Sequence, residues 1–158
     1  KKLETTCPRN IYVEASKSEK MTKEHMKRFL TSVLGEHVTN EKSLLLCDSW
    51  AGHTDRTLLD ARFSNKDVSL KILPPKTTKY CQPLDVYFFR QYKLYIRRIT
   101  DFVTLQGAKP QVKVHDRYFI VKLHSVIYNQ FAAPTYKPML QYAWRKPGYD
   151  IDIPTSLI

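Results

Sequence analysis

The sequence has no aspartate in residues 1 to 47, so a site built on aspartates can begin only at Asp48. Acids are scarce throughout: 15 Asp plus Glu stand against 26 Lys plus Arg, a formal net charge of +11. An excess of one sign on that scale argues for a polyanionic partner, and nucleic acid is the simplest. Cysteines are few and odd in number. Cys7, Cys47 and Cys81 match neither a zinc knuckle nor a CxxC redox pair, so reduced thiols in the cytosol or nucleus are expected. No run approaches the ~18 apolar residues of a membrane-spanning helix, and the opening "KKLETTCPRN" has no apolar signal core, so no membrane partner is expected. Internal repeats and low-complexity tracts are absent too. What is there is the make-up of a folded domain: 158 residues, 42% hydrophobic and 12% aromatic, enough to bury one core.

The patterning is α/β. "MTKEHMKRFLTSVLGEH" predicts a helix that starts after Thr22, places Met26, Phe29, Leu30, Val33 and Leu34 on one face, and closes at Gly35. Before it, Ile11 to Val13 suggests a short strand. "SLLLCD" from Ser43 to Asp48 predicts a strand, and "AGHTDRTLLDARF" a helix capped by Thr54 with Leu58, Leu59 and Phe63 on one side. "VSLKIL" from Val68 to Leu73 is the next strand. A strand, a helix and a strand with short connections imply a right-handed crossover between parallel neighbours, whose carboxyl ends share one sheet edge.

Pro74 and Pro75 then direct the chain away from the sheet in extended form, and a loop returns to Asp85. From Val86 the pattern is helical, with Phe89, Tyr92, Ile96 and Ile99 on one side and Arg90, Lys93, Arg97 and Arg98 presenting charge elsewhere. Beyond Gly107 a helix with Tyr118, Val121, Val126, Ile127 and Phe131 on its apolar face is expected, then a short helix after Pro134 or Pro138 and a frayed or docked tail, "DIDIPTSLI".

Asp48 ends a buried-type strand, where it either starts a loop or edges an active site. Asp85 enters a helix, where the helix dipole favours a carboxylate as an ordinary N-cap. Taken as a pair they read differently. Converging carboxylates repel one another and favour a hard divalent cation, Mg²⁺ or Mn²⁺, of the kind that serves two-metal phosphoryl transfer.

"SLLLCDSWAGH", followed by "LKILPPKTTKYCQPLDVYFFRQYKLYIRRI", resembles the DDE-superfamily endonuclease domain of pogo and Tigger-type transposases, relatives of mariner. That family shows an apolar strand ending in Asp-Asn, then a strand running into "LPPNTT", "QPLD" and a basic helix. The resemblance covers about Asn10 to Ile99, and "FIVKLHSVIYNQFAAPTYKPMLQYAWRKPGY" is similar to the helical segment that follows the core in transposase-derived relatives. It implies an α/β, ribonuclease H-like (DDE transposase/integrase) fold, a Mg²⁺ or Mn²⁺ cofactor, DNA cleavage and strand transfer, nuclear location, and a homo-oligomer in the intact transposase. Asp48 matches the second catalytic carboxylate and metal ligand, and Asp85 the third.

Two departures stand out. Ser49 occupies a position where the family often has Asn. The family's first catalytic aspartate lies on the first strand of the fold, and residues 1 to 47 offer none; Glu14 is the sole acid near a candidate strand. Residues 1–106 are therefore expected to be the later part of the catalytic domain without its first strands, inactive alone, and residues 107–158 a helical extension. The alternative is a domesticated, non-catalytic DNA-binding or chromatin-associated derivative. Secondary candidates are His53, as a phosphate or metal contact or a loop hydrogen-bonder, and Gln82, as a support for the loop carrying Asp85. Arg90, Lys93, Arg97 and Arg98 are either a DNA-binding face or a solvated helix side. Trp50, Tyr80, Tyr87, Tyr92 and Tyr95 either stack on bases or fill the core.

Overall fold

The computed structural model describes residues 7–18, 20–105 and 114–149. Its internal contacts divide the chain into two units, Glu14–Gln82 and Lys1–Val13 with Pro83–Ile158. The expected tail, from residue 150 onward, lies outside the described residues.

In the unit Glu14–Gln82, helix α1 (Lys23–Arg28) begins with a reciprocal cap. The Thr22 hydroxyl accepts the His25 backbone N–H at 3.3 Å, and His25 Nδ1 accepts the Thr22 N–H at 3.3 Å. Imidazole thus does the work that Glu or Gln usually does in a capping box. The helix continues through a π-helical segment, Phe29–Leu34, into α2 (Gly35–His37). Gly35 does not close it, contrary to expectation. Its backbone is right-handed helical, and what it supplies is space: a Cβ there would lie 2.7 Å from Arg62 Nη2 and 2.8 Å from the Leu30 carbonyl oxygen. The chain turns out of the helix at Val38, and the Lys66 ammonium donates to the carbonyls of Gly35 and Val38, satisfying acceptors that every helix end leaves open.

Strands β1 (Ser43–Cys47) and β2 (Val68–Ile72) pair in parallel, with Ser43 opposite Val68 and Cys47 opposite Ile72. This is the expected pairing, and α3 (Arg56–Phe63) connects the two strands. Asp55, not Thr54, occupies the N-cap position of α3; the Thr54 hydroxyl instead donates to the Ala51 carbonyl at 3.1 Å and closes the preceding loop. Met26, Leu30, Val38, Leu59 and Phe63 form the buried core, with Leu45, Trp50, Val68 and Leu70 packed against it. After β2 the chain does not run on extended. Residues 74–77 make a tight turn, with Thr77 Oγ1 donating to the Pro74 carbonyl at 2.7 Å, and the one-turn helix α4 (Thr78–Cys81) follows.

In the second unit a π-helical turn, Leu84–Phe88, leads into α5 (Phe89–Leu105). Asp116 caps α6 (Arg117–Phe131), accepting the N–H groups of Tyr118 at 2.8 Å and Phe119 at 3.3 Å. A 3₁₀ turn, Pro134–Tyr136, precedes α7 (Lys137–Arg145), which is the short proline-initiated helix the sequence suggested. Leu123, Ile127 and Phe131 are buried against Phe88, Tyr92, Tyr95, Ile96, Ile99 and Phe119. Two details differ from the expected faces. Phe88 takes the core position assigned to Phe89, which is 39% exposed; Phe88 stands four residues before Tyr92 and so falls on the same helix face. Tyr118 and Val126 face solvent, and the buried row on α6 runs at four-residue steps from Phe119 to Phe131.

Ile11–Val13 forms no strand. The preceding Asn10 is tied to α6 instead: its amide donates to the Ser125 carbonyl at 3.2 Å and to Asn129 Oδ1 at 2.9 Å, and the Ser125 hydroxyl donates back at 2.7 Å. None of the described helices is long and apolar enough to cross a membrane.

Candidate functional site

Asp48 follows the last residue of β1, so the pairing that fixes Cys47 beside Ile72 also fixes the base of its side chain. Its Oδ1 accepts two hydrogen bonds, from the Trp50 backbone N–H at 3.1 Å and from His53 Nδ1 at 2.7 Å. The first makes a local turn of the kind aspartate forms readily with the amide two residues on. The second requires the loop to double back, and the peptide groups arrange it: His53 N–H donates to the Trp50 carbonyl at 2.8 Å.

Gly52 permits that path. A Cβ there would fall 2.0 Å from the Trp50 ring, so only glycine lets the indole fold over the loop. Trp50 in turn packs on the core and meets the His53 ring edge-on with centroids 5.0 Å apart. Trp50 is thus a positioning residue for the imidazole, with its ring turned to the protein rather than left for base stacking. Neither its role nor that of Gly52 was read from the sequence, where "WAG" after the aspartate was the available signal.

Partial burial by itself would raise the Asp48 pKa. The Trp50 N–H, the His53 hydrogen bond and the His53 charge together outweigh it and hold the carboxyl below the ordinary aspartate value. Next to it, burial and then the Asp48 charge push the Cys47 thiol up to about 11. Asp48 is therefore an anion with one oxygen fixed. Its side chain is 43% exposed, and Oδ2 accepts no hydrogen bond among the described residues. One oriented oxygen and one open oxygen fit a hard cation, for which carboxylate is the preferred ligand.

Gln82 ends α4, with its N–H donating to the Thr78 carbonyl at 2.9 Å. Its Oε1 is buried without a hydrogen-bond partner among the described residues. Glu14 is engaged elsewhere: Arg28 Nη1 lies 3.0 and 2.8 Å from its two carboxylate oxygens.

Asp85 belongs to the other unit. It lies in the first turn of Leu84–Phe88, whose N-cap position is held by Pro83, and no side chain caps that end, so Asp85 is not the N-cap that the sequence suggested. It is exposed and makes no hydrogen bond or ion pair among the described residues. On α5, Arg90, Lys93, Arg97 and Arg98 are all exposed. The first three share a side by their spacing, whereas Arg98 borders a groove with Tyr95, Ile99, Phe102 and Val126. The structure thus brings Asp48 and His53 together, and groups the cations on one helix. No group of three or more His, Cys, Asp or Glu side chains able to hold a metal occurs among the described residues.

Comparison with curated proteins and with solved structures gives no match. Residues 2–133 match the family described as DDE superfamily endonuclease, whose members act on nucleic acid with divalent metal ions. That match spans most of the sequence, including the strand, the turn and the helix that carry Asp48, Asp85 and the α5 cations, and the chain belongs to the DDE superfamily of endonucleases.

Proposed function

We propose that the chain is transposase-derived, of the pogo or Tigger type, with a ribonuclease H-like fold whose intact parent cleaves and transfers DNA strands in the nucleus. In this reading residues 1–106 are the catalytic part, residues 107–158 extend it, and the intact transposase works as a homo-oligomer. Asp48 and Asp85 are the catalytic carboxylates and metal ligands for Mg²⁺ or Mn²⁺. The cation, when bound, would polarise a phosphodiester and lower the pKa of an attacking water or hydroxyl. The residues' own contributions are separable. Trp50 and His53 hold the Asp48 carboxylate ionised and in one orientation, and Arg90, Lys93 and Arg97 attract the DNA backbone.

The observation that carries the reading is Asp48 at the carboxyl end of a parallel strand, one oxygen anchored at 2.7 Å by His53 and the other open, within a chain of the endonuclease family. A second reading, a non-catalytic DNA-binding derivative, rests on the exposed α5 cations, which would hold DNA without a metal.

Mn²⁺ titration calorimetry and a supercoiled-plasmid nicking assay test both. Two carboxylates leave most of an octahedral shell to water, so weak Mn²⁺ binding is expected, lost in Asp48→Ala and Asp85→Ala, with no nicking by the wild-type chain. Binding that survives Asp48→Ala overturns the metal assignment. Nicking that disappears in Asp48→Ala excludes the non-catalytic reading and requires a further ligand.

A further inference from the structure

The turn after β2 has a backbone that its sequence makes expensive. Lys76 has φ +66°, the left-handed region that side chains other than Asn, Asp and Gly seldom occupy. It is the sole non-glycine residue with positive φ among the described residues. The turn is fixed from both sides, by the Thr77 hydroxyl on the Pro74 carbonyl and by α4 after it, so the strain is held rather than relaxed. Its outcome is a surface. Lys76 and Lys79 are exposed, neither pairs with a carboxylate among the described residues, and Tyr80 is 65% exposed with Lys79 Nζ 4.8 Å over its ring. Residues 73–84 contain no acid.

This surface leaves the sheet at the same end as Asp48. The Leu73 N–H donates to the Cys47 carbonyl at 2.8 Å, so the turn starts beside the strand end that carries the carboxylate. Two cations with no carboxylate partner among the described residues and a solvent-facing ring, one face of which is covered by Lys79, suit a nucleic acid strand whose bases are free: ammonium groups take the phosphates, and the other aromatic face takes an unstacked base of any sequence. A fully paired duplex offers its phosphates but no free base face.

Resting on the nucleic-acid reading of the chain, we propose that Lys76, Lys79 and Tyr80 form a site for an unpaired DNA strand beside Asp48, with Tyr80 stacking on a base and the lysines contacting its flanking phosphates. The site discriminates frayed or single-stranded DNA from blunt duplex.

Fluorescence anisotropy with a fluorescein-labelled oligothymidine, a blunt duplex and a duplex with an unpaired overhang tests it. The wild-type chain is expected to prefer the overhang and the oligothymidine to the blunt duplex. Tyr80→Ala should reduce that affinity roughly 5- to 150-fold and leave blunt duplex little changed, and Tyr80→Phe should keep it, since the ring carries the contact. Lys76→Asn is the variant that separates a ligand contact from a mere turn residue. Asn tolerates left-handed backbone, so the melting temperature should hold or rise, by up to about 4 °C, while affinity for unpaired DNA falls. Equal binding of blunt and unpaired DNA, or a preference that survives Tyr80→Ala, overturns the proposal and leaves duplex binding intact. Unchanged affinity in Lys76→Asn with a raised melting temperature also overturns it. Failure to bind any of the three probes overturns both this proposal and the nucleic-acid reading beneath it.

Discussion

His53 Nδ1 donates to Asp48 Oδ1 at 2.7 Å across a five-residue loop. The bond is one of the interactions that hold the Asp48 carboxyl below its ordinary value, and so gives the loop a dependence on pH.

The sign follows from the Asp48 shift. A carboxyl held below its unfolded value near 3.9 stabilises the fold above that pH, and the contribution is lost as pH falls through the lower, folded value. His53→Ala removes the hydrogen bond and the charge, so the Asp48 pKa should rise and acid unfolding should begin at higher pH. Carbon-detected NMR titration of the Asp48 carboxyl, with urea midpoints between about pH 3 and 7, checks this. An Asp48 titration unmoved by His53→Ala would assign the effect to the Trp50 amide alone.

Gly52→Ala tests the loop's geometry. The added methyl would sit 2.0 to 2.6 Å from three atoms of the Trp50 ring, so the indole must leave its place on the core or the loop must move. Overpacking of this kind costs about 1–3 kcal/mol. In a Trp144→Phe background the remaining tryptophan reports the displacement directly, as a red-shifted emission and a lowered denaturation midpoint. Retained emission and stability would mean that the ring does not cover the glycine.

Cys47 gives an independent reading of the same strand end. With its pKa pushed up to about 11, roughly one thiol in a thousand is ionised at pH 8, and thiolate is the nucleophile. Iodoacetamide should therefore modify Cys7 and Cys81, both partly exposed, well before Cys47. Because the folded pKa is raised, the thiol's contribution to stability is whole below its unfolded value and declines as pH rises from there toward 11. Mass spectrometry of the labelled peptides decides the order.

Some of this was legible in the sequence and some was not, for reasons that differ by residue. The parallel pair could be read because apolar runs of strand length flank a single helical segment, and handedness leaves few alternatives. The place of Asp48 at a strand end could be read because a carboxylate interrupts an apolar run. Gly35 misled because glycine near the end of an apolar pattern commonly marks a helix C-terminus, whereas here it makes room for Arg62. Phe89 was displaced from the core by its neighbour Phe88 because both stand within about one helical turn of Tyr92, three and four residues before it, and spacing alone does not choose between them. The orienting role of Trp50 depends on where its ring lands in three dimensions, and no pattern of residue types along the chain encodes that.

The α5 cations remain to be weighed against an ordinary solvated helix face, and salt dependence separates the two. Arg90, Lys93 and Arg97 are exposed and share one side of the helix, a spacing that lets all three reach a phosphate backbone together. Each phosphate neutralised on duplex DNA releases condensed counterions, so the logarithm of the binding constant falls with the logarithm of salt by about 0.9 per contact. Replacing all three by Ala should therefore flatten the slope by up to about 2.7 and weaken binding to every duplex sequence alike, because phosphate contacts carry no base information. Stability should change little, since substitutions at exposed positions away from packing usually stay within about 0.5 kcal/mol. Arg98→Ala serves as the internal comparison: it borders the groove with Ile99 and Phe102 off that side, and should alter the slope less than Arg97→Ala. A triple variant with the wild-type slope would assign this face to solvent, and the +11 charge of the chain would have to act through other cations.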